Sequence, residues 1–445
     1  MNNLADLCED LYNFIQSYRP FFQAGTRNSV EKGYQYICGL FQSEKSNIEK
    51  MAEQVEESEP QNLNHFISDS QWDHSALIAQ IGSEVDGAFS ENSEPVCLII
   101  DESGWQKKGF QSVGVDRQYL GSIGKVDNGQ VAVFGSLAQG DKVSIIDTRL
   151  YLPQKWINDK DRCLKAGIPE SEIEPKTKSK LGLEIIDCAH KNNIFYDWIG
   201  GDGFYGHDSK FRYALDDAGE DYVLDIHCDD TVYLEDPKPY IPKRKSKKGR
   251  NPSRYQTDIE GVLPKSIMET AHESDWEEYV FRHGSKGEMG RKVIVKDVYT
   301  WNGEKKTART ERLIISKNLD GTNVKYSLSN DREHRCNKRQ LLYRQMQRYW
   351  VERSLQDAKS ELGMDEYQVR TWQGWHHHMA LTFLALLFML LQKIKHKEET
   401  PLLSCSDIRF ILRNTLPKKA NSRKEVMKLI QQRHQRRKRD IDRYT

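Results

Sequence analysis

Residues 1–90 contain four stretches whose apolar side chains recur at spacings of three and four: LADLCEDLYNFIQSY, VEKGYQYICGLF, IEKMAEQVEES and WDHSALIAQIGSEV. That period predicts helices. SEPQN and SENSEP punctuate them. The pattern changes at PVCLIID, residues 95–101, a short continuous apolar run that predicts a strand buried on both faces. QVAVFGSLA and KVSIIDTRLYL follow, split by Gln139, Gly140 and Asp141. They predict an antiparallel hairpin turning near Gly140–Asp141. SKLGLEIIDCAHKN has helical spacing, and IFYDWIGGD is another buried strand ending in glycines and Asp202. SKFRYALDDAG reads as a short helix and DYVLDI as a fifth strand.

Three strands, helix, strand, helix, strand is the order of a ribonuclease H-like α/β fold: a hairpin beside parallel βαβ units in one mixed sheet flanked by helices. Residues 236–254, basic and punctuated by proline, predict an exposed loop. Strand patterns return in EEYVFRH, RKVIVKDVYTW, ARTERLIISKN and VKYSLSN, with Asn302–Gly303 and Asp320–Gly321 as turns. They predict a β-rich insertion forming a separate lobe. From Asn337 onward the chain reads as helix: one through Leu362, one from about Thr371 to Lys395, and basic helices at the end. The expected organisation is an N-terminal helical region (1–93), a first core segment (94–227), the β-rich insertion (228–331), C-terminal core helices (332–398) and a basic helical tail (399–445).

Charge adds a partner to this picture. The 66 basic and 66 acidic residues balance, so their distribution matters more than their sum. Residues 1–95 carry 16 acidic and 5 basic side chains, whereas 418–445 carry 11 basic and 3 acidic ones. Residues 238–254, including Lys243, Arg244 and Lys245, carry 8 basic residues and no acid. The two basic stretches suit a polyanion; the alternative is a solvated surface. Eight scattered cysteines without a CxxC pair suit a reducing compartment and no zinc module. Met379–Leu391, thirteen apolar or hydroxyl residues, is too short to cross a membrane and predicts a buried helix. His376, His377 and His378 before it point about 100° apart on a helix and cannot share a metal.

The candidate chemistry rests on carboxylates. Asp101 and Asp202 end two strands that this topology places side by side, where open α/β sheets hold their sites. A strand-end aspartate is also an ordinary cap or turn former. Within RYWVERSLQDAK, residues 348–359, Val351, Leu355, Ala358 and Leu362 form one apolar stripe. Arg348, Glu352 and Lys359 form a second; eleven residues at 100° bring Arg348 and Lys359 within about 20° of each other. Glu352 is either a third carboxylate for a cleft or half of an i, i+4 surface ion pair with Arg348. Three oxygen donors suit a hard ion such as Mg²⁺, and two such ions would clamp a phosphodiester. Arg348 and Lys359 would then hold phosphates.

These motifs resemble the DDE transposases of bacterial insertion sequences, in the branch carrying a YREK signature (the IS-four and IS-seven-oh-one groups). Arg348, Glu352 and Lys359 match its Arg, Glu and Lys in type and spacing, while Gln345 stands where the tyrosine belongs. LIIDESGW resembles the first-Asp motif, IGGDGFYG the second, and GVDRQYLGSIGKVDNGQVAV the strand pair after the first. The resemblance spans roughly residues 30–395. It implies a cut-and-paste transposase with catalytic, metal-holding Asp101, Asp202 and Glu352, using two Mg²⁺ ions with Mn²⁺ as substitute. It also implies double-stranded DNA as partner, at terminal inverted repeats and at the target, a homodimer on that DNA, no membrane, and a cytoplasmic, nucleoid-associated setting. Trp301, beside the Asn302–Gly303 turn, would be the tryptophan that holds a flipped base; packing is its other use. The competing readings are a catalytically inactive DNA-binding derivative and another ribonuclease H-like nuclease such as a resolvase.

Overall fold

In the computed structural model the apolar run at 95–101 grows into a ten-residue strand, β1 (Cys97–Gln106), so Asp101 lies within the strand rather than at its end. The structure describes residues 4, 6–89, 94–244, 250–257, 262–271, 275–284, 287–420 and 422–442. The chain divides into two compact units. One comprises Ser75–Ala358 and Arg370–Trp372; the other comprises Met1–His74, Lys359–Val369 and Gln373–Thr445.

The first unit is built on one large mixed sheet. After β1 come β2 (Asp116–Leu120), β3 (Lys125–Gln139), β4 (Lys142–Leu150), β5 (Trp198–Gly201) and β6 (Tyr222–Asp225). Then follow β7 (Glu277–Gly284), β8 (Gly287–Thr300), β9 (Arg309–Asn318) and β10 (Lys325–Ser329). The spatial order is β7-β8-β9-β10-β6-β5-β1-β3-β2, with β4 also paired to β3. β1, β5 and β6 run parallel, and the other pairings are antiparallel. The mixed α/β core expected from the sequence is present, and the β3–β4 hairpin turns at Gly140, whose φ of +60° suits glycine.

The insertion is not a lobe of its own. β10 pairs with β6, Leu328 opposite Leu224, and so continues the core sheet. A buried ion pair fastens it further. Glu311 on β9 accepts from Arg212 Nε at 3.1 Å and from the Tyr222 hydroxyl at 2.5 Å. Thr300 donates to the other carboxylate oxygen. Ile294, Val298, Leu313, Ile315 and Leu328 form a separate apolar cluster with Val232 and Ile267.

Two groups of helices flank the core strands. The helix Lys178–Lys191, capped by Thr177, packs Ile185 against Gly135 of β3. The single long helix expected up to Leu362 is two helices, Lys338–Gln347 and Tyr349–Leu362, meeting at Arg348. Gln345, in place of the signature tyrosine, is buried: its amide bonds Ser316 Oγ on β9 at 2.6 Å and Ser327 Oγ on β10 at 2.8 Å. Val351, Leu355, Ala358 and Leu362 are buried, as their stripe predicts.

The second unit is helical. The helices Leu7–Ser17, Val30–Gln42, Ile48–Gln54 and Pro60–Ser68 share it with the long helix Trp372–Lys395 from Gln373 onward. At 24 residues that helix is long and apolar enough to cross a membrane by length and composition, which the thirteen-residue run did not predict. Yet 83% of its most apolar window is buried inside the protein, the property of a core helix. His377 stacks on Trp72 with ring centroids 3.8 Å apart, and His378 Nδ1 meets the Tyr36 hydroxyl at 2.9 Å. The acidic N-terminal helices find cations on the C-terminal segments: Lys395–Asp10 at 2.6 Å, Arg413–Glu44 at 3.1 Å and Lys419–Glu59 at 3.2 Å.

Two stability predictions follow from buried charge. Glu311→Ala strands Arg212 in the core, and breaking such a pair from one side costs about 3–5 kcal/mol. Urea unfolding should shift accordingly; a midpoint within error of the parent's would refute the bracing role. Burial, and next the charge of His74, lower the pKa of His377 from 6.5 to about 4. The unfolded chain therefore binds more protons between those values, and stability is lost as pH falls through this window, by up to about 3 kcal/mol. His377→Gln removes this contribution, so melting curves at pH 7 and pH 5 should show the variant gaining on the parent as pH falls.

Candidate active site

Strand register, more than any local motif, aligns the acids. Ile100 of β1 pairs with Gly201 of β5, and Gly201 pairs with Leu224 of β6. The next residue on each chain is an aspartate: Asp101, Asp202 and Asp225. Paired positions in neighbouring strands, about 4.8 Å apart, present their side chains to one face. The three carboxylates thus form a row across the carboxyl ends of β5 and β6. Asp202 also caps the short helix Gly203–His207, accepting from Phe204 N–H at 3.0 Å. Gly206 in that helix lets it pass the β6 backbone: a Cβ there would stand 1.7 Å from the Asp225 carbonyl oxygen. Gly200 and Gly201 are buried strand residues.

Burial sets the electrostatics. Asp101 is 9% exposed, and burial, then the charge of Asp202, raises its pKa to about 8. Asp202 is raised too, by burial and then by Glu102. Arg348 opposes both shifts. Asp225 is differently placed. Its Oδ1 accepts from Ser327 Oγ and its Oδ2 from Arg348 Nε, both at 2.6 Å. The other side of the Arg348 guanidinium meets Glu352 Oε1 at 2.7 Å.

The helix Tyr349–Leu362 is therefore tied at two points. Arg348, just before it, is held over β6, and Ser354 Oγ lies 3.4 Å from Ser136 Oγ on β3. Since β5 and β1 lie between β6 and β3, the segment from Arg348 to Ser354, which carries Glu352, spans β5 and β1. The Glu352 carboxylate is on Arg348, so the i, i+4 ion pair is formed, and the side chain is 54% exposed. Among the described residues no three His, Cys, Asp or Glu side chains stand together as an ion-ligating group. The donor set nonetheless suits a hard divalent cation: all the candidate ligands are oxygens, and buried Asp101 and half-buried Asp202 keep a raised pKa despite the charge of Arg348.

The remaining expected residues are dispersed. Arg348 holds two carboxylates. Lys359, seven residues beyond Glu352, is half-buried and belongs to the other compact unit. Trp301 donates from its indole N–H to Lys305 O at 2.7 Å and so fastens its own turn. Lys243 and Arg244 are exposed, and Lys245 lies outside the described residues. Sequence reading passed over Asp225 and Lys325. The available signal for Asp225 was its place: DYVLDI ends on an aspartate in the same position as Asp202 after IGG. Lys325 of β10 is lowered in pKa by burial and feels Asp225, Arg348 and Glu352.

A raised carboxyl pKa gives stability that is lost as pH rises from 3.8 to about 8. The ion-free chain should therefore melt lower at pH 8.5 than at pH 5.5. Asp101→Asn should recover a few degrees of that difference. Identical melting temperatures for parent and variant at pH 8.5 would rule out the buried repulsion.

A curated relative, described as a probable transposase for insertion sequence element IS701 of Microchaete diplosiphon, is 25% identical over 231 residues. The alignment covers 50% of this chain and 54% of that protein, so the chain spans about half the length of the relative. The family model for the DDE superfamily endonuclease matches residues 20–288. That match takes in more than half of the sequence and all three aspartates of the row, and the chain belongs to the DDE superfamily endonucleases.

Proposed function

We propose that the chain is a cut-and-paste DNA transposase. It would cleave double-stranded DNA at terminal inverted repeats and transfer the freed strand into target DNA, working as a homodimer on that DNA. The observation that carries this reading is the aspartate row with a glutamate-bearing segment that spans β5 and β1. The relative's description as a probable transposase supports it. Asp101, Asp202 and Glu352 would be the catalytic carboxylates. Two divalent ions, Mg²⁺ with Mn²⁺ as substitute, would supply the Lewis acidity that phosphodiester cleavage requires.

The chain's own residues then have distinct tasks. Asp101 and Asp202, aligned by strand register, would lose their protons and present oxygens along one edge of the sheet. Glu352 leaves Arg348 with one or both oxygens and closes the set from above. Arg348 stays on Asp225 and keeps positive charge beside the scissile phosphate, with Lys325 next to it. The helix Arg423–Asp442 exposes Lys428, Arg437, Lys438 and Arg439 and is suited to DNA phosphates. Lys359, Trp301 and the basic stretch 243–245 remain candidate DNA contacts.

Glu352→Gln tests the assignment. The amide keeps the volume and removes the ligand charge. A Lewis acid is worth several kcal/mol at such a centre, so cleavage of a DNA bearing the element ends should fall at least about a hundredfold. Binding of the same DNA in EDTA should change little. Cleavage near the parent rate would remove Glu352 from the chemistry.

A further inference from the structure

Lys325 lies on the same face of the sheet as Asp225. Ser327 pairs with Asp225 in register and donates to its Oδ1 at 2.6 Å. Lys325 stands two residues before Ser327 on β10, so its side chain leaves the sheet on that side. Its ammonium feels the charges of Asp225, Arg348 and Glu352. The side chain is half-buried, and among the described residues it makes no ion pair. Asp225 and Glu352 are both held by Arg348 instead.

A second cation flanks it. Lys325 pairs with Ser316 of β9, and Arg291 of β8 donates from Nε to Ser316 Oγ at 3.1 Å. The other Arg291 nitrogens donate to Asn318 Oδ1 at 2.6 Å and to the carbonyls of Ser316 and Asn323. Those acceptors are neutral and leave the charge of Arg291 uncancelled. Burial is the largest influence on Lys325 and on Arg291, and it lowers the pKa of both. A half-buried ammonium between two guanidiniums, with its nearest acids taken, costs stability. What the place lacks is an anion, and an oxyanion offers both charge and acceptors. In a chain that cleaves DNA that oxyanion is a backbone phosphate. Neighbouring strands are about 4.8 Å apart, which puts β10 roughly 10 Å from β5 and Asp202. The separation suits a phosphate beside the scissile one. The signature lysine, Lys359, belongs to the other compact unit.

We propose that Lys325 is a phosphate-binding residue of the candidate active site, holding the DNA backbone phosphate adjacent to the one being cut. The inference rests on the DNA-cleaving reading above and adds to that site a contact supplied by the inserted strands.

The test measures binding of a duplex that carries an element end, by the full chain in EDTA. Lys325→Met keeps the stem and removes the charge. It should bind about tenfold weaker, the effect of one charge-assisted hydrogen bond. The slope of log affinity against log salt should fall by about one. Lys325→Arg should restore both. The Met variant should melt no lower than the parent, because it loses a cation that burial disfavours. Neutral methylphosphonate linkages, placed one at a time around the cleavage position, locate the contact. One of them should weaken the parent and leave Lys325→Met unaffected. A Met variant that melts lower and binds weaker with an unchanged slope overturns the proposal, as do losses that add at every linkage. If the parent cleaves this DNA with Mg²⁺ and Lys325→Met matches its affinity and slope, the role of Lys325 alone is overturned. A parent that binds no such DNA overturns the transposase reading with it.

Discussion

Register between three parallel strands is the constraint on which the site depends. Once Ile100, Gly201 and Leu224 are paired, Asp101, Asp202 and Asp225 must lie in one row. Three carboxylates so placed cannot all be charged in a partly buried setting without cations. The structure resolves one of them internally, because Arg348 binds Asp225. It leaves the other two with a raised pKa and no dedicated partner. That division is itself functional information. A fold that needed only stability would pair all three or replace them; this one leaves two acids whose ionisation is held back at a point where a divalent ion would favour it.

The parts of this arrangement that are local were legible in the sequence. Apolar runs located β1, the β3–β4 hairpin, β5 and β6, and the 4-3-4 spacing of Val351, Leu355, Ala358 and Leu362 gave the buried face of the crossing helix. Non-local features were not legible. Asp225 looks like any strand-end aspartate until β6 is seen beside β5. β2 was legible only through the resemblance of GVDRQYLGSIGKVDNGQVAV to a strand pair; its residues largely alternate between exposed and half-buried and carry charge, so no apolar run marks it. The break at Arg348 escaped because helical periodicity continues through it. The Arg348–Glu352 spacing was visible, but spacing alone could not reveal that Arg348 reaches a third carboxylate.

Charge balance over the whole chain also has a structural cause. Sixteen acids in residues 1–95 look unsuited to a DNA-binding protein. In the helical unit Asp10, Glu44, Glu53 and Glu59 are paired with Lys395, Arg413, Arg433 and Lys419. Exposed pairs of this kind contribute little to stability. Their larger effect is on distribution: they cancel part of the cationic C-terminal segment and leave the remaining positive charge on one exposed helix.

The insertion strands take part in the site they interrupt in sequence. β10 supplies Ser327, which donates to Asp225, and Lys325, which stands in the same field. β9 and β10 also bind Gln345, one helical turn before Arg348. Moving β10 would therefore displace both the anchor of Arg348 and the helix that leads into it. The buried Arg212–Glu311 pair resists such movement by joining β9 to the helix beside β6. A segment inserted between the second aspartate and the glutamate thus becomes the brace that holds them in relation. The position of Glu352 depends on strands that carry none of Asp101, Asp202 and Asp225.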